Sequence, residues 1–333
     1  MINITEDDIV QLAVEYFRAQ GFPYVRLHDY EIYQIFKNLQ DNETRLVRSE
    51  KGLLHGLVTS IGINECKNDQ SLANHFHPHI WESKAYKMRS PIESFAIDKS
   101  LQKVMRLCLK YLGEITIRDV RTFLRTVNGT QCCSNFRPSA AKAVYDYFKA
   151  ENVLDMSAGY GGRLLGFLAS KSTGTYTGVD PSERTINCNQ AIVDYFKQNH
   201  RVRLIQSPFE DATDLPKVDF AFTSPPYFKK EVYDGDDEKQ SSNRYQSYDA
   251  WRDNFLAVMI QKVRDVLLPD GTMAINIQDV RINNVVFPTT DDTVQVAQSN
   301  GFIMKERLDL SLSSFGRGLK KTKSEPIFIF KKA

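Results

Sequence analysis

Asn152-Val153-Leu154-Asp155-Met156-Ser157-Ala158-Gly159-Tyr160-Gly161-Gly162-Arg163 joins a short apolar run to an acid and three closely spaced glycines. The run predicts a buried strand, and the glycines predict a tight turn into a helix. Such a turn lets a ligand approach the backbone at a helix N-terminus. The spacing departs from G-x-G-x-x-G, because a carboxylate closes the strand before the glycines begin. An acid there repels a phosphate and suits a cationic group.

Downstream of this stretch, β-branched runs alternate with amphipathic segments. The runs are Asn152–Met156, Thr175–Asp180, Val202–Gln206, Val218–Thr223 and Thr272–Gln278. This alternation predicts a parallel sheet with crossover helices. Phe302–Leu310 and Pro326–Lys331 follow with no helical pattern between them and predict a closing antiparallel hairpin. The fold class expected is α/β: a seven-stranded, mostly parallel sheet on the plan of a Rossmann-like class I methyltransferase. Upstream, residues 1–125 read as a mainly helical N-terminal domain. Ile9, Leu12, Ala13 and Tyr16 fall at helical spacing, as do Leu101, Val104, Met105, Cys108 and Leu109. Residues 62–95 form a polar, histidine-containing stretch with no assignable pattern. Residues 126–333 make up the expected second domain.

The second strand ends at Asp180, 25 residues after Asp155. An acid at that place holds a ribose diol in folds of this type. Phe209, Glu210 and Asp211 follow the third strand, where an adenine can stack on Phe209 and donate its amino group to a carboxylate. With Asp155, Ser157, Gly159 and Gly161, these residues form an expected cofactor site that suits S-adenosyl-L-methionine (AdoMet) better than a dinucleotide.

Thr223-Ser224-Pro225-Pro226-Tyr227-Phe228 closes the fourth strand, at the edge where open α/β sheets bind ligands. Two successive prolines stiffen the chain, remove two N–H donors and leave carbonyl oxygens facing the crevice. An exocyclic amino group is a poor nucleophile, because its lone pair is delocalised into the ring. Acceptors from Ser224 and the Pro225 carbonyl would bind its two hydrogens and localise that lone pair. Tyr227 offers a flat face to an extruded base. Ser224, Pro225, Pro226 and Tyr227 are therefore the expected catalytic group.

With this motif the chain resembles the DNA amino-methyltransferases, whose signature here is [D/N/S]-P-P-[Y/F]. The resemblance covers residues 132–333. It implies AdoMet as cofactor, double-stranded DNA with a flipped target base as partner, and direct in-line methyl transfer. The serine form is commonest among cytosine-N4 enzymes, and the Asp and Asn forms predominate in adenine-N6 enzymes, so cytosine N4 is favoured and adenine N6 stays open. RNA amino-methylation and a non-catalytic AdoMet-binding subunit also stay open. Asn135-Phe136-Arg137-Pro138 matches the element that covers the methionine end of AdoMet, which adds Phe136 to the cofactor set. Over its whole length the chain looks like bacterial and phage DNA methylases sharing Gly21-Phe22-Pro23-Tyr24, His77-Pro78-His79, Arg89-Ser90-Pro91 and Glu325-Pro326.

Composition narrows the remaining classes. Lys+Arg 43 against Asp+Glu 41 excludes a histone-like polycation but not a local basic patch. Five cysteines without CxxC spacing argue against a disulfide framework. No apolar run spans a bilayer and the start is not a signal peptide, so no membrane partner and a cytoplasmic location are expected. No Pro-Cys dipeptide is present for cytosine-C5 chemistry. Cys66, His75, His77 and His79 match no standard zinc spacing, and no metal is expected. Arg317, Lys320, Lys321 and Lys323 in the last hairpin are candidates for phosphate contact. Lys229, Lys230 and the Gly/Asp/Ser-rich stretch to Ser247 are expected as a loop over the active site. With no long insertion in the catalytic half, target recognition falls to residues 1–125.

Overall fold

The apolar run that ends at Asp155 forms the inner strand of a nine-stranded sheet, in a computed structural model that describes residues 4–43, 45–53, 56–62, 66, 68–233, 235, 237–312 and 323–333. Its strands are β1 (Arg45–Leu53), β2 (Gly56–Gly62), β3 (Val153–Asp155), β4 (Tyr176–Asp180), β5 (Val202–Gln206), β6 (Val218–Thr223), β7 (Leu267–Asn276), β8 (Phe302–Leu312) and β9 (Lys323–Lys332). They lie in the order β1-β2-β8-β9-β7-β6-β3-β4-β5. β3 to β7 are mutually parallel, and β9 runs antiparallel between β7 and β8. The seven strands expected from the sequence are thus contiguous in the sheet, from β8 to the β5 edge. The β1–β2 hairpin extends it, with β2 pairing parallel to β8.

That hairpin lies where the sequence suggested helix. Its Val, Ile and Thr residues have β propensity, but the pairing that fixes them comes from β8, 249 positions further on (Arg307 opposite Val58).

From β3 the chain winds outward through β4 and β5, then returns to β6 on the other side of β3. Strand order reverses between β3 and β6, so the crevice at their carboxyl ends is the switch point where such sheets take ligands. Both sequence motifs end there. One sheet face carries Val153, Phe220, Phe222 and Tyr176 against the helices Pro138–Phe148 and Gly162–Ala169. The other carries Leu154, Ala221, Met273 and Ile275 against Phe255, Leu256, Met259 and Ile260. Gly166 permits the close approach of those first two helices, since a Cβ there would stand 2.6 Å from the Ala141 methyl.

The chain divides into two compact units. The sheet unit comprises Leu27–His77, Asn135–Lys230 and Asp236–Ala333. The smaller unit comprises Met1–Arg26, Pro78–Ser134 and Glu231–Gly235. This division does not follow a single cut near residue 125. Ile32, Ile35, Leu72 and Ala73 belong to the sheet unit's core, and burying them requires residues 27–77 to go with the sheet.

The smaller unit packs helix Glu6–Gln20 with helix Asp98–Leu112 through Val10, Val14, Phe17, Leu101, Val104 and Met105. Thr5 caps the first helix in a reciprocal box with Asp8. Its buried face is one residue round from the expected one: Ile9, Leu12 and Tyr16 are exposed. Both stripes fit a helical period, and packing against Asp98–Leu112 selects between them. Glu231–Val232 pairs with Lys84–Ala85 in this unit, so the stretch after Lys230 is partly ordered strand rather than one loop. Arg317, Lys320 and Lys321 lie outside the described residues, and Lys323 opens β9.

Candidate active site

Asp155 is fully buried at the end of β3. One carboxylate oxygen accepts from Arg163 Nε at 2.8 Å and from the Tyr176 hydroxyl at 2.7 Å, and the other accepts from the Ser157 amide at 3.2 Å. Arg163, eight residues on in the following helix, also donates to the Ser157 carbonyl and lies over the Phe136 ring at 5.5 Å. The acid thus braces the glycine turn from inside, with its charge answered by an equally buried guanidinium.

Gly159 and Gly161 both hold positive φ, 56° and 75°, which an L side chain resists. A Cβ on Gly161 would meet Ile192, His77 and Asn189 within 3.0 Å, and one on Gly162 would stand 1.9 Å from the Phe136 carbonyl oxygen. Asn189 donates to the Gly159 carbonyl at 2.9 Å, and Asn135 donates to the Tyr160 carbonyl at 2.9 Å. Helix Asp69–Phe76, from the stretch that sequence reading left unassigned, supports Asn135 in turn. Gln70 donates to its carbonyl at 3.2 Å, and Asp69 caps helix Pro138–Phe148 by accepting from Ser139. Phe136 lies edge-on to Phe222.

Asp180 ends β4, next to β3. Its two oxygens accept from the Gly159 amide at 2.9 Å and the Ser182 amide at 3.0 Å. Burial pushes its carboxyl up to about 6, against the opposing pull of those two N–H groups. Phe209 is buried beyond the end of β5, in the core with Val218 and Trp251. Glu210 accepts from the Tyr245 hydroxyl at 2.7 Å, and Arg244 bridges Glu210 and Asp211 at 3.1 and 2.7 Å.

On the β6 side, Ser224 Oγ lies 3.1 Å from the Tyr227 hydroxyl. That hydroxyl also reaches the Asn276 carbonyl and side-chain oxygens, each at 3.2 Å. Asn276 ends β7 and donates to the Pro326 carbonyl at 3.0 Å, joining the Glu325-Pro326 pair to the edge. Pro225 is buried and Pro226 partly so. Tyr227 is 5% exposed, with Lys230 Nζ 5.0 Å from its ring centroid. Asn276 was not singled out in the sequence, where an asparagine closing a buried strand is the available signal.

The zinc-like set is dispersed in role. His75 Nδ1 accepts from the Leu27 amide at 3.1 Å, and His77 Nδ1 contacts the Ala73 carbonyl at 3.2 Å. Among the described residues no three His, Cys, Asp or Glu side chains gather as a metal site, and no helix is long and apolar enough to cross a membrane.

The sheet order is that of a Rossmann-like α/β fold closed by an antiparallel strand pair, with both sequence motifs at its switch point. Within it, residues 218–333 match the N6_N4_Mtase family model, a DNA methylase, which begins at the first residue of β6 and includes Ser224–Tyr227. No curated protein sequence matches the chain. Among solved structures, the chain is similar to a 1,6-didemethyltoxoflavin-N1-methyltransferase of Burkholderia thailandensis (16% identity, 59% of this chain and 77% of that one, TM-score 0.41). It is also similar to an O-methyltransferase of Thermotoga maritima (15%, 60% and 68%, 0.41). A third is the O-methyltransferase of a polyketide synthase from Brevibacillus brevis (11%, 59% and 72%, 0.40).

Proposed function

We propose that the protein transfers a methyl group from AdoMet to an exocyclic amino nitrogen of a DNA base, with cytosine N4 as the acceptor ahead of adenine N6. The observation that carries this reading is the contact of Ser224 Oγ with the Tyr227 hydroxyl, 3.1 Å away, beside the two Asn276 oxygens. Both Asn276 oxygens are pure acceptors, so the single Tyr227 proton goes to Asn276. With that proton placed on Asn276, we assign Ser224 as the donor to the Tyr227 oxygen. Its lone pairs are left as acceptors, which is what an amino group with two hydrogens needs. Pro225 adds a carbonyl with no competing N–H.

The cofactor side fits AdoMet. Asp180 keeps lone pairs on both oxygens beyond its two amide contacts, to which a ribose diol can donate. Gly159 and Gly161 supply the positive φ that the turn needs, 56° and 75°, and Phe136 is assigned to the methionine end of the cofactor. Bound AdoMet supplies an electrophilic methyl on a sulfonium. The protein orients the amino nitrogen and excludes water. Glu210 and Asp211, held by Arg244, are the acceptors for an adenine amino group. Asp155 acts on this site through the turn that it braces. We assign target recognition on double-stranded DNA to residues 1–125, and action in the cytoplasm.

The test is to express the protein in cells free of DNA methylation and digest their DNA and RNA to nucleosides for mass spectrometry. N4-methylcytosine in DNA is expected. N6-methyladenine would move the acceptor, methylation confined to RNA would move the substrate, and no methylated nucleoside would overturn the enzyme reading.

A further inference from the structure

Just beyond the reaction edge, Val280–Ile282 and Val285–Phe287 form a short antiparallel hairpin in the sheet unit. Its turn is Asn283-Asn284, with φ of 49° and 65°. Two successive left-handed residues give the primed turn whose twist matches a hairpin, and asparagine tolerates that region better than most side chains.

The stem is anchored. Thr289 Oγ1 donates to the Gln278 carbonyl at 2.6 Å, and Thr290 donates through both its amide and its hydroxyl to Asp279, at 3.0 and 2.7 Å. Phe287 packs at 5.3 Å from the ring of Phe228, which directly follows Tyr227, and at 4.9 Å from Tyr248. The hairpin is thus tied to the segment that carries Ser224 and Tyr227.

One face of the hairpin is an apolar stripe. Val280 pairs with Phe287 and Ile282 with Val285, so all four share a face. Val280 is 1% exposed, Ile282 and Phe287 are half-buried, and Val285 is 54% exposed. Val286, on the opposite face beside exposed Arg281, is 48% exposed. A stripe that starts in the core and continues into solvent gains nothing for the fold at its tip.

We infer that the tip, through Val285 and Val286, wedges into the DNA duplex beside the target base and holds open the gap left by the extruded nucleotide. The inference rests on the DNA-methylation reading above. A base must leave the stack to reach an acceptor at Ser224, and its neighbours then lose their stacking partner. Apolar side chains on a rigid projection replace that partner at least cost in entropy, as wedges do in bent DNA. Arg281, on the same hairpin, has the sign to meet the phosphate backbone.

The test uses the full chain as wild type, as Val285→Ser/Val286→Ser, and as the conservative Val285→Ile/Val286→Ile. Chloroacetaldehyde modification of an end-labelled DNA fragment reads unpaired cytosines and adenines, with the AdoMet analogue sinefungin present. Methyl transfer from labelled AdoMet to duplex and to heat-denatured DNA is measured in parallel. The wild type and the Ile variant should raise chloroacetaldehyde reactivity at discrete positions. The Ser variant should lose that signal and at least tenfold of its rate on duplex, while keeping AdoMet affinity. A Ser variant with wild-type reactivity and duplex rate overturns the wedge but not the methylation reading. A wild type that methylates duplex without enhancing chloroacetaldehyde reactivity also overturns the wedge alone. A wild type that methylates neither DNA overturns both.

Discussion

Arg163 Nε stands 2.8 Å from Asp155 Oδ2, with the two side chains 5% and 0% exposed. Two opposite charges so enclosed are worth keeping only if each is satisfied, and here Tyr176 and Ser157 complete the acid. The pair ties the end of β3 to the helix that starts at Gly162, so the glycine turn is clamped at both ends.

Removing one partner should therefore cost far more than removing both. Arg163→Met should destabilise the protein by about 3–5 kcal/mol, because Asp155 is left buried and unpaired. Asp155→Leu combined with Arg163→Met should recover part of that loss. Urea unfolding without AdoMet measures both. Equal losses in the single and double variants would show that the pair does not act as a unit.

Gly159 and Gly162 should separate backbone strain from collision. Gly159→Ala meets only ordinary contacts, the nearest 3.6 Å away, but must adopt φ 56°, at a cost of about 1–2 kcal/mol. Gly162→Ala drives a methyl to 1.9 Å from the Phe136 carbonyl and must displace the Asn135–Phe136 segment. Its cost should reach about 3 kcal/mol, at the upper end for overpacking. AdoMet affinity should also fall, because the displaced segment includes Phe136. Thermal melts and calorimetry test this, and equal behaviour of the two variants would contradict it.

Asp180 should make cofactor binding depend on pH. Its carboxyl is raised from 3.8 to about 6 by burial, so the folded protein without ligand holds this proton to a higher pH than the unfolded chain does. The stability it contributes is present below its unfolded value of 3.8 and lost as pH rises through about 6. A diol donating to the carboxylate favours the ionised form, so AdoMet should bind more tightly as pH rises through about 6 and level off above it. Calorimetry at pH 6 in buffers of different ionisation enthalpy should show proton release. Asp180→Ala should abolish that release and weaken binding roughly tenfold or more, for loss of hydrogen bonds worth about 1.5–3 kcal/mol. Unchanged affinity in the variant would remove Asp180 from the site.

The sheet and its edge were legible because their signals are local. Val202–Gln206 and Val218–Thr223 carry their own β-branched runs and appear with the same bounds in the structure. The turn at Asp155 and the Ser224 motif are each read within a dozen residues. What escaped depends on distant partners. β1 and β2 are fixed by β8, and the burial of Leu72 by the helices around Ala140 and Leu164. Tyr227 reads as a stacking face, yet its hydroxyl is tied to Asn276, 49 residues away, and its ring is largely enclosed. Phe209, expected as a ring on which an adenine stacks, is packed in the core with Val218 and Trp251.

The Tyr227–Asn276 tie gives Ser224 its proposed role and yields the sharpest prediction. Tyr227→Phe removes the atom that takes the Ser224 proton, while leaving the ring in place. Ser224 is then free to turn its hydroxyl toward the substrate as a donor, the wrong sense for an amino group. An acceptor whose bond strengthens as the nitrogen becomes pyramidal acts on kcat rather than on ground-state binding. Ser224→Ala should therefore slow methyl transfer by about tenfold to several hundredfold, by analogy with single oxyanion donors. Tyr227→Phe should slow it by a smaller factor in the same direction. The double variant should be no slower than Ser224→Ala, because Tyr227 acts through Ser224. AdoMet affinity should stay within about twofold in all three, since none touches the β3–β4 side of the crevice. Single-turnover transfer from labelled AdoMet to duplex DNA gives the rates, and calorimetry the affinities. Additive losses in the double variant would mean that Tyr227 contributes independently of Ser224. Wild-type rates in all three would place the acceptor elsewhere on the edge.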